Sequence, residues 1–232
     1  MNMKRVLAVG LATFCMAMPV LAGSHSWRFS ELFTNAGGTV QFIEFTCPVA
    51  GENSVNGLQV TVVVGGITVN TFTFPNSLPG STANKKLLLA TNGFTTLPGA
   101  PARDFALPDN FFPPGGGFTI RYNPPGNYDT NIVAAGAIPT DGIDSLQYTT
   151  FLGANGVDTF TTGTNNPTNY AGCVTEICDD NIDNDCDGLT DCDDPACALA
   201  VPACVPTVSE WGVLIMALLT LSAGSVMLRQ RA

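Results

Sequence analysis

The residues best suited to chemistry are the acidic side chains between Glu176 and Asp194. This stretch holds nine Asp and Glu residues and no Lys or Arg. So many carboxylates repel one another unless a cation neutralises them, and a set of ligands that are all oxygen favours a hard ion such as Ca²⁺. We therefore expect the segment to bind a metal ion, with Ca²⁺ as the first choice.

The spacing of these carboxylates is that of a calcium-binding loop. With Asp183 as position 1, aspartates fall at positions 3, 5, 9 and 12, glycine falls at position 6, and position 7 supplies a backbone carbonyl. Asp194 is shorter than the Glu that usually closes such a loop, so we expect weak affinity, with a Kd of roughly 10⁻⁴–10⁻³ M. The predicted ligands are Asp183, Asp185, Asp187, Leu189, Asp191 and Asp194, with Gly188 at the sharp turn.

Cysteines, rather than flanking helices, are expected to frame this loop. The stretch resembles the Cys/Asp metal-binding repeats of bacterial surface proteins and, more loosely, thrombospondin type 3 repeats. The resemblance implies a metal-binding extracellular segment. A solvated acidic linker and a copper site remain alternatives; a zinc site is disfavoured because the segment has no paired Cys-x-x-Cys spacing.

The chain has 8 cysteines, and six of them lie within the 32 residues from 173 to 204. In an exported protein such a cluster predicts a disulfide framework, although the sequence does not choose among the possible pairings. Cys47 is the odd cysteine, expected either to be free and buried or to pair with the cluster. The disulfide candidates are Cys173, Cys178, Cys186, Cys192, Cys197 and Cys204.

Both ends of the chain have the features of export signals. Residues 1–22 combine Lys4 and Arg5, an apolar stretch and a small-residue cleavage site, which predicts a signal peptide. At the other end, residues 213–228 are uncharged and are followed by Arg229 and Arg231. Counted from the preceding tryptophan, this run predicts a transmembrane helix of about 27 Å, with the arginines on the cytoplasmic side.

The motif that precedes the apolar run is Val205-Pro-Thr-Val-Ser-Glu-Trp-Gly, in which Pro206, Thr207, Trp211 and Gly212 carry the pattern. With the helix and the basic end, residues 205–232 resemble the IPTL-CTERM sorting signals of Gram-negative bacteria. The resemblance implies an intermediate anchored in the inner membrane, processing by an exosortase-type protease, and delivery to the cell surface or beyond. A plain membrane anchor that is never cut is the alternative.

Residues 23–172 are expected to form an all-β domain. Short runs rich in Val, Ile, Phe and Thr alternate with Gly and Pro turns, and no amphipathic helix is visible. Gly65-Gly66 is a suitable hairpin turn, whereas residues 161–172 have the composition of a polar loop or linker. A β-sandwich is the natural packing. The predicted strands cover residues 40–45, 58–64, 67–74, 85–91, 117–122 and 143–150.

The start of this domain, Phe29-Ser-Glu-Leu-Phe-Thr-Asn35 followed by Val40-Gln-Phe-Ile-Glu-Phe45, resembles bacterial lamin-tail-like domains. The resemblance implies an immunoglobulin-like sandwich that acts as a structural or binding module without an active site. The expected order along the chain is therefore a signal peptide (1–22), a sandwich (23–172), a Cys/Asp-rich metal-binding segment (173–204) and a sorting signal (205–232).

Catalysis has little support in the sequence. His25 is the only histidine, and no nucleophile elbow, zinc-protease motif or phosphate-binding loop is present. Glu31, Glu44, Asp104 and Asp109 could supply a carboxylate pair for glycoside hydrolysis, but we expect Glu31 and Glu44 to lie on the solvent-facing side of strands. We therefore expect a protein that is not an enzyme.

Residues 23–172 carry nine acidic and five basic side chains, so the positive surface of a nucleic-acid-binding protein is missing. We expect an exported, calcium-stabilised structural or adhesive protein whose partner is a surface polysaccharide or another protein. The alternative is a secreted carbohydrate-binding protein or hydrolase, for which Tyr122, Tyr128 and Tyr148 are candidates for an exposed sugar-binding face.

Overall fold

The computed structural model describes residues 24–150 and 159–197 and the single residue Leu219. Within these residues, no helix is long and apolar enough to cross a membrane. The predicted signal peptide, the apolar tail apart from Leu219, and several named residues lie outside the described part of the chain. These residues are Cys204, Pro206, Thr207, Trp211 and Gly212.

The described residues are folded mainly as short β-strands. Two single turns of 3₁₀-helix, Phe94–Thr96 and Asp191–Asp193, interrupt the connections. The strands are β1 (Arg28–Thr34), β2 (Gln41–Cys47), β3 (Gln59–Val64), β4 (Ile67–Thr73), β5 (Lys85–Ala90), β6 (Phe105–Ala106), β7 (Phe118–Tyr122), β8 (Asp129–Val133), β9 (Asp144–Thr150) and β10 (Thr159–Thr164).

The strands form two sheets. The larger has the order β10-β9-β1-β2-β5-β6, and the smaller has the order β4-β3-β7-β8. Neighbouring strands run antiparallel except for the short parallel pair β5 and β6. The prediction of an all-β fold is confirmed, and two sheets around a common core are consistent with a β-sandwich.

Apolar side chains from both sheets form one buried cluster. Phe29, Ile43 and Leu89 belong to the larger sheet, and Val62 and Ile120 belong to the smaller one. Because successive strand residues point to opposite faces, this cluster defines the inner face of each sheet. The cluster is the core on which the rest of the domain is built.

The larger sheet is also covered on its outer face. Phe33, Phe42, Leu88 and Phe94 form a second buried cluster there, and the rings of Phe33 and Phe42 stack 5.2 Å apart. Burial on both faces explains why the sequence of β2 alternates so poorly between polar and apolar residues.

The predicted hairpin is confirmed. Gly65 and Gly66 join β3 to β4 with φ angles of 57° and 83°, and two positive φ values are what a two-residue turn of this kind requires. The prediction of a loop from residue 161 is wrong in part, because β10 continues to Thr164 and pairs with β9. Its threonines are mostly exposed, so it carries no apolar periodicity that a sequence pattern could reveal.

Strand β8 was also missed, for a different reason. Its inward positions include Asp129 and Asn131, which are buried and polar, so the strand lacks the apolar alternation of its neighbours. The Asp129 carboxylate accepts a hydrogen bond from the backbone N–H of Phe29 at 2.8 Å, which joins the smaller sheet to the larger one. A buried polar group that has a hydrogen-bond partner is stable in the core. Its polar residue type nevertheless conceals the inward position from pattern analysis.

The fully buried side chain of Gln41 fixes the loop before β7 against β2. Its Nε2 donates to the Phe112 carbonyl at 2.7 Å and to Thr34 Oγ1 at 3.1 Å, and its Oε1 accepts from the Phe111 N–H at 2.8 Å. Removal of the amide would take these hydrogen bonds from the Phe111 N–H and the Phe112 carbonyl, while Thr34 Oγ1 would keep its bond to the Asn35 carbonyl at 2.9 Å.

We expect Gln41→Ala to lower the free energy of unfolding by about 2–4 kcal/mol, because the backbone groups of Phe111 and Phe112 lose a buried partner and a cavity replaces the side chain. Gln59→Ala is the matched control, since that half-buried strand amide makes a single exposed contact at 3.4 Å. Denaturant unfolding of both variants is the measurement. Equal effects of the two substitutions would contradict this role for Gln41.

Candidate metal site

The Cys-rich segment is reached through an extended piece of chain, residues 165–170, which we call the strap. It leaves β10 and crosses the outer face of the larger sheet. Its backbone N–H groups at Asn166 and Thr168 donate to Glu31 Oε1 at 3.0 Å and Glu44 Oε2 at 2.8 Å. The strap is thereby bonded to β1 and then to β2, which are neighbours in the sheet.

A third carboxylate continues the series. The N–H of Tyr170 donates to Asp104 Oδ2 at 2.9 Å, and the same oxygen accepts from the N–H of Leu88 in β5 at 2.7 Å. Alternate strap residues thus place their N–H groups over successive acidic side chains. An extended chain presents every second N–H to the same side, which is the spacing that this arrangement needs.

The expectation that Glu31 and Glu44 face solvent is wrong. Both point away from the core, but they are 2% and 0% exposed because the strap covers them. Ser145 Oγ also donates to Glu31, while Ser30 Oγ and Lys86 Nζ contact Glu44. These partners explain how acidic groups tolerate burial, since each carboxylate is hydrogen-bonded or ion-paired.

Burial affects the protonation of two of these groups. It raises the pKa of Glu31 to about 7, against the lowering effect of the hydrogen bonds from Ser145 and Asn166. It also raises the pKa of Asp104 to about 6, with hydrogen bonds from Leu88 and Tyr170 acting in the opposite direction. In both cases the loss of hydration of the charged form is the largest cause.

The far end of the strap is anchored by two side chains. Tyr170 Oη donates to the carbonyls of Pro79 and Ser81 at 2.7 and 3.0 Å. Asn169 Oδ1 accepts from the N–H of Cys173 at 2.9 Å, and Asn169 Nδ2 donates to a carbonyl in the connection before β6 at 2.9 Å. The first cysteine of the segment is therefore held close to the sandwich.

Disulfides enclose the acidic loop. Cys173 pairs with Cys186, and Cys178 pairs with Cys197. Cys192 is also disulfide-bonded, whereas Cys47 is free and buried, which confirms the first of the two alternatives for that residue. The two defined bridges close loops across the segment and restrict its unfolded form, so they frame the acidic residues without flanking helices.

Glu176 is the organising residue of the loop, and sequence analysis missed it. Its Oε2 accepts from the N–H groups of Asn184 and Asp185 at 2.8 and 3.2 Å, and its Oε1 accepts from the N–H of Asp191 at 3.3 Å. Glu176 lies before the loop motif, so spacing within the motif could not reveal it. Its own N–H donates to the Gly99 carbonyl at 3.2 Å, which docks the segment on the sandwich.

Four of the predicted ligands share one arrangement, in which one carboxylate oxygen accepts a nearby backbone N–H. Asp183 Oδ2 accepts from Gly188 at 3.0 Å, and Asp185 Oδ1 accepts from Asp187 at 3.1 Å. Asp187 Oδ1 accepts from the N–H of Leu189 at 2.8 Å, and Asp194 Oδ1 accepts from the N–H of Ala196 at 2.6 Å. These bonds hold each carboxylate in place through one oxygen. The second oxygen is then available to bind another partner, such as a cation.

Two of the remaining oxygens are buried without any partner, Oδ1 of Asp183 and Oδ2 of Asp194. Asp194 is only 2% exposed, and Asp185 beside it is 6% exposed. An unpaired buried carboxylate oxygen is costly, and a bound cation would satisfy it. This is the observation that points most directly to a metal ion.

The cluster has the dimensions of a cation site. Single ligand atoms of Glu176, Asp183 and Asp185 lie within 4.8 Å of one another, as do those of Asp185, Asp187 and Asp194. Burial, together with the nearby charges of Asp187, Asp194 and Glu176, raises the pKa of Asp185. The aspartates line a cleft of about 350 Å³ whose opposite wall is the connection after β5, with Leu97 and Ala100.

The last two predicted ligands have other contacts. Both oxygens of Asp191 accept backbone N–H groups, from Asp180 at 3.2 Å and Asn181 at 3.0 Å. The N–H of Leu189 donates to Asp187 at 2.8 Å. Gly188 has a φ of 94°, in agreement with the sharp turn expected at that position. The structure thus brings Asp183, Asp185, Asp187 and Asp194 together with Glu176 and gives Asp191 a role in shaping the loop.

The tyrosines do not form the expected sugar-binding face. Tyr122 and Tyr148 are 1% and 7% exposed, and Tyr122 Oη donates to a backbone carbonyl at 2.7 Å. Tyr128 is partly buried and packs edge-on against Tyr122. His25 is exposed, and its Nδ1 lies 3.7 Å from Glu52 Oε2. Glu31, Glu44, Asp104 and the buried tyrosines therefore have structural contacts, whereas Asp109 is exposed.

Comparison with known proteins gives no relatives: no family model matches the chain, and no curated protein or solved structure matches it. The interpretation of the site therefore depends on its geometry and on the sequence patterns.

The raised pKa values predict how stability changes with pH. A Glu31 that titrates near 7 in the folded protein and near 4.5 when unfolded keeps its proton longer in the folded state. Its contribution is therefore complete below about pH 4.5 and is lost as the pH rises through 7. The contribution of Asp104 to stability is lost in the same direction, as the pH rises through about 6.

We expect Glu31→Gln to retain the acceptor oxygen and to remove this pH dependence. When the pH is raised from 5 to 8.5, the free energy of unfolding of the variant should rise by about 1–3 kcal/mol relative to that of the unmodified protein. Urea unfolding in excess chelator at both pH values is the measurement, with the exposed Asp109→Asn as the charge-matched control. A Glu31 variant with the same pH profile as the control would refute the assignment.

Proposed function

We propose that this chain is an exported, non-catalytic surface protein, in which a β-sandwich carries a calcium-stabilised segment rich in Cys and Asp. The proposal rests chiefly on one observation. The carboxylates of the segment converge around buried oxygens that have no partner, in a loop that is bonded to the sandwich. A bound Ca²⁺ would turn this loop into a rigid extension of the domain.

The donor set supports Ca²⁺ over softer metals. The converging groups are carboxylates, together with the sulfur of Cys197, which is in a disulfide and so is not a thiolate. Zinc and copper sites usually include thiolate or imidazole ligands, whereas Ca²⁺ takes six to eight oxygens. Water in the open cleft beside the aspartates would complete the coordination shell.

The sandwich supports a structural role. Its first two strands contain the residues on which the resemblance to lamin-tail-like domains is based, and a two-sheet arrangement is compatible with the immunoglobulin-like fold of that family. The buried Glu31 and Glu44 and the half-buried Asp104 accept hydrogen bonds from the strap. These features favour a module that holds other parts in place and binds a surface polysaccharide or another protein.

The compartment follows from the cysteines and the two ends of the chain. Disulfides persist in oxidising surroundings outside the cytoplasm, which agrees with the predicted signal peptide. The sorting motif and apolar tail suggest an inner-membrane intermediate that an exosortase-type protease transfers to the surface.

Calcium should stabilise the segment and protect it from proteolysis. We expect Ca²⁺ at millimolar concentration to raise the melting temperature relative to chelator, and to slow cleavage within residues 173–197. Asp194→Asn should abolish most of this difference, because it removes a buried charged ligand. Asp193→Asn is the control, since Asp193 is next to Asp194 in the chain but is exposed. Identical digestion with calcium and with chelator would exclude the calcium role.

The mass of the natural protein tests the tail. We expect intact-mass measurement of protein from a cell-surface fraction to show loss of the region beyond residues 206–212. Substitution of both Pro206 and Trp211 with Ala should leave the chain uncut in the inner membrane. A complete C-terminus on the surface protein would show that the tail is an anchor rather than a sorting signal.

A further inference from the structure

A second cleft, which we call the strap cleft, lies beside the end of the strap and shares no lining residue with the cleft at the acidic loop. It is lined by the loop between β4 and β5, the first residue of β5, the start of β6 and residues 170–171. Its volume is about 610 Å³, and small-molecule sites typically have volumes of roughly 300–1,000 Å³. The strap cleft is therefore large enough to hold a ligand.

The loop that forms one wall of the strap cleft is held in place by the protein itself. Tyr170 Oη donates to the carbonyls of Pro79 and Ser81 at 2.7 and 3.0 Å. The N–H of Leu78 donates to the Asn53 carbonyl at 2.9 Å, and the Leu78 side chain is buried. A preformed wall favours binding, because no free energy is spent on ordering it when a ligand arrives.

Lys85 gives the strap cleft a positive charge. In β5 it alternates with Leu87 and Leu89, which are in the core, so it lies on the inner side at the end of the strand. Its Nζ is 5.5 Å from the centre of the Tyr170 ring. Within the described part of the chain, this ammonium group has no hydrogen-bond or ion-pair partner. Its donors are therefore open to an anionic group of a ligand.

Asp104 gives the strap cleft an acceptor. Its Oδ2 takes both backbone hydrogen bonds, from the N–H groups of Leu88 and Tyr170, whereas Oδ1 accepts none from the residues that the structure describes. Because its pKa is about 6, the group is mainly ionised at neutral pH. An ionised carboxylate accepts hydrogen bonds and repels a second anion, so a ligand must present donors such as hydroxyl groups at this point.

The rest of the lining suits the ring of a sugar. Leu78, Pro79 and Phe105 are apolar, while the exposed Asn76 and Ser77 can both donate and accept hydrogen bonds. A sugar ring has the same combination, an apolar C–H face and hydroxyl groups that donate and accept. An extended peptide would need a longer strand to pair with, because β6, at the edge of the larger sheet, has only 2 residues.

We propose that the strap cleft binds an acidic sugar of a surface polysaccharide, with the sugar carboxylate on Lys85 and its hydroxyl groups on Asp104. The inference rests on the surface role proposed above and adds the location of the binding site and the class of ligand. An acidic sugar meets both polar requirements of the cleft, an anion at the ammonium group and hydrogen-bond donors at Oδ1. A neutral sugar lacks the anion and should bind more weakly.

Oligosaccharides of galacturonic, glucuronic and mannuronic acid are the probes, and the methyl ester of each is the matched neutral probe. Isothermal titration of the full-length, disulfide-oxidised chain, in detergent with calcium, is the measurement. We expect at least one acid to bind about tenfold more tightly than its ester, because a charge-assisted hydrogen bond is lost in the ester. Lys85→Gln should remove this preference, and Lys85→Arg should keep most of it.

Two further variants serve as controls. Arg121→Gln removes a half-buried basic residue of β7 that lies outside the strap cleft, so it should leave sugar binding unchanged. Ala171→Trp should block binding of the acids and the esters alike, because Ala171 is exposed and lines the strap cleft. The melting temperature of each variant checks that its fold is intact, so that a blocked cleft is not confused with a lost fold.

The possible results separate the two proposals. If no acid binds, or if Lys85→Gln and Arg121→Gln bind the acids equally well, the sugar site is wrong. Protection of residues 173–197 by calcium would then still support the function proposed above. If a peptide with a free C-terminal carboxylate binds through Lys85 and the sugars do not, the partner is a protein and the proposed ligand class is wrong.

Discussion

Coverage of three carboxylates by one crossing segment, the strap, is the constraint on which the rest of this structure depends. Glu31 and Glu44 are buried and Asp104 is half-buried, and alternate N–H groups of the strap donate to all three in addition to their partners within the sheet. The strap, in turn, has an extended path because those carboxylates occupy successive positions across the sheet. Each side would pay a desolvation penalty without the other, so the two are stable only together. This mutual dependence sets where the Cys-rich segment begins.

The acidic loop depends on the same interaction, in which a carboxylate accepts backbone N–H groups. In the strap contacts, carboxylates accept N–H groups of a distant segment; in the loop, Asp183, Asp187 and Asp194 accept N–H groups of close neighbours. The local bonds hold the aspartates in place and leave oxygens with no partner. Carboxylates whose oxygens have partners therefore build the frame, and the proposed cation would bind at the oxygens that have none. Glu176 links the two regions, because it shapes the loop while its backbone docks on Gly99.

Much of the fold could be predicted from composition and pattern. The Gly65-Gly66 turn and the apolar runs of β2, β3 and β5 are local signals, because turn geometry and strand preference depend on neighbouring residues. The failures at β8 and β10 have a physical cause as well. Buried Asp129 and Asn131 in the first, and exposed threonines in the second, remove the contrast between polar and apolar positions that pattern analysis needs.

The sequence by itself determined the acidic loop, the concentration of cysteines beside it and the β character of the larger domain. These depend on residue types and spacings that are close together in the chain. Only the tertiary structure decided that Glu31 and Glu44 are buried, that Glu176 joins the cluster, and that Asp191 turns to the backbone of residues 180 and 181. Burial and convergence depend on which distant segments cover a residue, and no local spacing contains that information.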